Sequence, residues 1–145
     1  MKQKRILVLC PYPKGEAAGQ RLKYEQYFDH WEENGFQITI SSFSDKSLWN
    51  NLYSSGINLV KILGTIKGYL RRFRDLSRLN NFDIVYVFMW VTPIGTSLIE
   101  KIYLKLSNRI IYDYDDAIHL KDHYSKNFSV NKFLNFFKNQ NKYIS

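Results

Sequence analysis

Four apolar runs of four to six residues, at 5–10, 36–40, 83–88 and 109–112, are separated by longer stretches in which apolar residues recur at threes and fours. This alternation constrains the fold more than any other feature of the chain. A strand that pairs parallel to its neighbour needs a return connection of a dozen or more residues, ordinarily a helix, and the helical stretches at 20–34, 59–79 and 93–107 supply it. The expectation is an α/β domain of three αβα layers around a mainly parallel sheet, because right-handed crossovers place helices on both faces. At 145 residues the chain is sized for one such domain. Its 45% hydrophobic and 23% charged residues suit a packed core and exclude a disordered chain.

Local signals set the expected boundaries. Pro11, Pro13, Gly15 and Gly19 mark a loop after the first strand, and the helix at 20–34 is expected to bury Leu22, Tyr27 and Trp31. Gly35 stands where a left-handed residue would end that helix. Residues 41–58 read as a loop with a short helix, containing Trp49 and Tyr53. In the helix at 59–79, Ile62, Leu63, Ile66, Tyr69, Leu70, Phe73 and Leu76 recur at threes and fours and form one apolar face. Asn80 and Asn81 end it. Residues 128–144 read as a last helix, with Val130, Phe133, Leu134 and Phe137 on one side.

Charge narrows the partners. The chain carries a formal +8, and residues 59–80 hold six basic residues against one acidic, which is +5 of that total. Lys67, Arg71, Arg74 and Arg78, spaced by four, three and four, form a stripe beside the apolar face. Such a stripe suits an anionic membrane surface or a lipid phosphate, or it is simply a solvated face. No nucleic-acid motif accompanies it, so nucleic acid is not expected as a partner. The basic start and residues 6–10 imitate a signal peptide, but Pro11 and Pro13 cut the apolar stretch short. No run of about 18 apolar residues occurs. The single Cys10 cannot form an intramolecular disulfide. The expected location is therefore cytoplasmic, with any membrane contact peripheral on its inner face.

Two loops at the carboxyl ends of the expected strands carry the chemistry, since open α/β sheets bind ligands there. Gly15, Gly19, Gln20 and Arg21 follow the first strand, where glycine backbone can approach a sugar or phosphate and Arg21 adds a cation. The spacing matches neither a dinucleotide fingerprint nor a P-loop, and a plain connecting loop is the competing reading. Asp113, Asp115 and Asp116 follow the fourth strand. Carboxylates this close raise one another's pKa unless a cation or donor offsets them, a pattern of binding and catalytic sites. A helix cap at Asp115 or Asp116 and a divalent-metal site are the alternatives. His119 and His123 lie four apart with no third ligand in sequence, and no nucleophile motif is present.

Taken in order, the segment 5–13, Gly19-Gln20-Arg21 opening a helix, Asn34-Gly35-Phe36 before the second strand, the segment 82–87 and Tyr112-Asp113-Tyr114-Asp115-Asp116-Ala117-Ile118 resemble the first domain of family-4-type glycosyltransferases. The likeness extends to about residue 120. It implies a GT-B enzyme with two facing Rossmann-like domains, the first holding the acceptor and the second, absent from residues 1–145, holding the nucleotide-sugar. No metal and no cofactor beyond the nucleotide-sugar co-substrate is implied. By position, Gly15, Gly19 and Arg21 would line the cleft, with Gln20 and Asp113 beside the substrate. Asp115 and Asp116 would be the catalytic pair, Asp115 replacing a histidine found in many relatives. Carboxylates accept hydrogen bonds from vicinal hydroxyls and so suit a sugar acceptor.

The resulting expectation is hexosyl transfer to a glycan or lipid-linked acceptor in cell-envelope polysaccharide synthesis, with this chain inactive alone. The alternative is a non-catalytic, membrane-docking subunit paired with a separate donor-binding chain. A receiver-like switch would need an acidic triad spread over several strand ends, which the sequence lacks.

Overall fold

A computed structural model describes residues 3–54, 59–93 and 97–114. Strand β1 (Lys4–Cys10) is followed by helix α1 (Ala18–Lys23), a 3-10 turn (Glu25–Tyr27), helix α2 (Phe28–Glu33) and strand β2 (Phe36–Ser42). Helices α3 (Lys46–Asn51) and α4 (Leu59–Leu76) then lead through a second 3-10 turn (Leu79–Asn81) to β3 (Ile84–Phe88), α5 (Ser97–Leu106) and β4 (Ile110–Asp113). The four strands form one sheet in the order β2-β1-β3-β4, and every pairing is parallel. The fold is thus α/β with an all-parallel sheet, consistent with a Rossmann-like three-layer domain.

Each face of β1 feeds a separate core, because successive side chains of a strand point to opposite sides. Leu7 and Leu9 pack with Val85, Val87, Leu79, Phe82 and Tyr103 beneath the end of α4 and α5. Ile6, Val8 and Cys10 pack with Tyr24, Phe28 and Phe88 beneath α1 and α2. Gly35 has φ +83°, so the expected left-handed stop is present, and its amide closes on the Glu32 carbonyl at 3.0 Å.

One helical expectation needs correction. The single helix at 20–34 is two short helices joined by a 3-10 turn, and it begins at Ala18, so Gly19 is helical and not part of the loop. Its inner residues are Gln20, Tyr24 and Phe28. Leu22 is 71% exposed and Tyr27 also faces out, while Trp31 is half-buried. The cause is aromatic packing: Tyr24 meets Phe28, Tyr86 and Phe88 at centroid distances of 5.2–5.7 Å, which fixes the face turned to the sheet.

The apolar side of α4 is turned outward. The buried residues of α4 are Gly64, Gly68, Arg72 and Asp75. Of the apolar face read from the sequence, Ile62, Leu63, Ile66, Leu70 and Phe73 are exposed, and Tyr69 and Leu76 are half-buried. Glycines let the helix approach α3 and the loop before it, where a Cβ at Gly64 would lie 2.9 Å from Leu48 and one at Gly68 would lie 2.6 Å from the Phe43 ring. The helix expected at 93–107 is α5, described over Ser97–Leu106. The helix expected at 128–144 lies outside the described residues.

Candidate functional site

Because all strands run parallel, the loops after β1, β3 and β4 emerge along one edge of the sheet. The loop after β1 is held from within. The Gln20 side chain accepts a hydrogen bond from the Tyr12 amide and donates one to the Tyr12 carbonyl, both at 3.0 Å, and donates another to Glu25 at 3.2 Å. Glu25 in turn accepts from the Gly15 amide at 2.9 Å. Gln20 is fully buried, so it shapes the loop and does not face a ligand. Gly15, at φ +83°, has open space where a Cβ would stand, and Gly19 and Arg21 are exposed beside it. Tyr12 also packs against Trp49 of α3, the rings tilted by 54° with centroids 4.7 Å apart.

At the end of β4, the Asp113 carboxylate receives the Lys23 ammonium at 2.8 Å and the Tyr86 hydroxyl. Lys23 also donates to the Tyr114 carbonyl at 3.2 Å. Partial burial alone would raise the Asp113 pKa, but the hydrogen bonds from Lys23 and Tyr86 and the lysine charge outweigh it and hold the carboxyl below its ordinary value. Burial, followed by the bond to Asp113, pushes the Tyr86 phenol up, so it stays a donor. Between these loops Met89, just past β3, has φ +66° and donates its amide to the Asp113 carbonyl at 2.9 Å. A non-glycine residue in this region is costly, and such positions concentrate at functional sites.

Beneath the same edge lies a buried cation. Arg72, 1% exposed, donates to the carbonyls of Cys10 at 3.0 Å, Ser41 at 2.9 Å and Val91 at 2.6 Å. These are the carboxyl ends of β1 and β2 and the loop after β3, so one guanidinium ties three connections together. Asp75, also fully buried, accepts from Ser41 and from Arg78 at 2.7 Å and lies 3.6 Å from Arg72. Burial lowers the Arg72 pKa, though a guanidinium remains protonated near neutrality.

The basic stripe expected on α4 divides. Arg71 donates to the Ser42 and Phe43 carbonyls, and Arg78 pairs with Asp75, so both serve the fold. Lys67 and Arg74 are exposed.

Of the expected site residues, Gly15, Gly19, Arg21 and Asp113 share the carboxyl edge, and Gln20 supports it. Asp115, Asp116, His119 and His123 lie outside the described residues. Lys23, Tyr86, Arg72 and Met89 were missed. Lys23 is 90 positions from its partner Asp113, and no local pattern announces such a pair. Among the described residues no group of three or more His, Cys, Asp or Glu could hold a metal ion. An open hollow of about 300 Å³, lined by Lys4, Asp83, Ile84, Asn108 and Arg109, lies at the opposite, amino edge. No family model, curated protein or solved structure matches this chain.

Proposed function

We propose that this chain is the acceptor-side domain of a GT-B glycosyltransferase that moves a hexosyl unit from a nucleotide-sugar to a glycan or lipid-linked acceptor. One observation supports the reading above others: Lys23, from the helix after the β1 loop, clasps Asp113 at the end of β4, so the two loops singled out by the resemblance share one edge of a parallel sheet. Ligands of open α/β sheets bind at that edge.

In this reading the exposed backbone at Gly15 and Gly19 and the Arg21 cation face the acceptor. Asp113, neutralised by Lys23, positions the chain that leads to Asp115 and Asp116. Those two carboxylates accept hydrogen bonds from acceptor hydroxyls. In the transfer itself the acceptor oxygen bonds to the anomeric carbon as the bond to the nucleoside diphosphate breaks, and the hydroxyl proton passes to a nearby carboxylate, the part given to Asp116. The donor is held by a second domain outside residues 1–145, and the setting is the cytoplasmic side of an envelope membrane.

The test is transfer of labelled sugar from nucleotide-sugars to lipid-linked and oligosaccharide acceptors by the chain joined to a donor-binding domain. Loss of transfer in Asp116→Asn at unchanged thermal stability is the expected result. Undiminished transfer rejects the site.

A further inference from the structure

The outward face of α4 is an unusual surface for a protein helix. Leu59, Ile62, Leu63, Ile66, Leu70 and Phe73 are each between 46% and 75% exposed. At about 100° per residue they fall within an arc of roughly 100°, opposite the buried Gly64, Gly68, Arg72 and Asp75. The exposed cations Lys67 and Arg74 flank that arc on one side. The helix has one acidic residue, Asp75, and it is buried on the far face against Ser41 and Arg78. The outer surface of α4 is therefore apolar and cationic, with no carboxylate of its own.

We propose that α4 lies in the plane of an anionic bilayer, with this apolar arc among the acyl chains and Lys67 and Arg74 at the lipid phosphates. No described helix is long and apolar enough to cross a membrane, which fits a helix lying along the surface. Charge selects lipid over the two protein occupants. A second copy docked face to face would bring Lys67 and Arg74 against an equally cationic partner. The chain's own apolar segment at 128–145 contains Lys132, Lys138 and Lys142 and no acidic residue, so it repeats the same repulsion. An anionic headgroup layer complements both features at once.

Arg71 and Arg78 are held by the fold, so insertion of the apolar arc, and not a four-residue basic stripe, carries the attachment. It stands on α4 alone and holds whether or not the chain transfers sugar.

The experiment is sedimentation of the full chain with phosphatidylcholine vesicles, with and without phosphatidylglycerol. Binding to the anionic vesicles is expected, and L70E/F73E should abolish it while leaving circular dichroism unchanged, because both side chains are exposed. Lys67→Gln with Arg74→Gln should weaken binding roughly 30-fold, since each cation near acidic lipid contributes about fivefold. A Phe73→Trp reporter should shift its emission to the blue on adding vesicles. Three results overturn the proposal. One is no binding to anionic vesicles, and a second is binding that survives L70E/F73E. The third is a wild-type dimer that this pair of substitutions converts to monomer, which would assign the face to a second copy.

Discussion

Lys23 and Asp113 form an ion pair at 2.8 Å that joins the helix after β1 to the end of β4, across the intervening strand β3. The pair also receives the Tyr86 hydroxyl from β3, so three elements meet at one carboxylate.

Because the folded Asp113 carboxyl titrates below its ordinary value, its charged form stabilises the fold. That contribution is full above the ordinary aspartate pKa and is lost as pH falls through the lower, folded value. Asp113→Asn is expected to cost about 1 kcal/mol near neutral pH, a modest figure because the pair is partly solvated. Urea unfolding at neutral and strongly acidic pH should show the difference from wild type disappear in acid.

Arg72 is expected to be among the most sensitive positions. Arg72→Met takes from three carbonyls the donor they share and from the buried Asp75 carboxylate one of its two neighbouring cations, a loss of roughly 3–5 kcal/mol. Arg72→Lys should do little better, because one ammonium cannot reproduce the spread of a guanidinium fork. Thermal unfolding by circular dichroism separates a requirement for geometry from one for charge alone.

Alanine normally improves a helix over glycine by about 1 kcal/mol. Gly68→Ala is expected to do the reverse, since its Cβ would meet the Phe43 ring at 2.6 Å and overpacking costs roughly 1–3 kcal/mol. Phe43→Leu should relieve the added strain, so a double-mutant cycle would show coupling between the two sites.

Cys10 is fully buried at the end of β1, and burial pushes its thiol up to about 11. Folded protein should resist alkylation at neutral pH and react only as the sheet opens. Mass spectrometry of iodoacetamide adducts across a urea series should follow the unfolding curve. Rapid labelling of the native chain would contradict this packing.

Much of the scaffold could be read from local pattern. The runs that became β1, β2, β3 and β4 are short, apolar and separated by helical periods, and Gly35 marked its turn correctly. The loop after β1 and Asp113 were also legible as parts of one edge, since parallel strands place their carboxyl ends together. Hidden from the sequence were Lys23, Tyr86 and Met89, which enter the site through strand order and backbone conformation.

The helix α4 shows most clearly where local information stops. Periodicity establishes that a helix has an apolar side, because side chains repeat every 3.6 residues whatever surrounds them. It does not say which side meets the protein. That was decided by the close approach of α4 to Phe43 and Leu48, where a Cβ at Gly64 or Gly68 would collide, and by the three backbone carbonyls at the carboxyl edge that Arg72 joins. The sequence by itself determined the order of strands and helices and the loops that end them. Tertiary packing alone decided which face of α4 is buried and which lysine neutralises Asp113, because both depend on contacts between residues far apart in the chain.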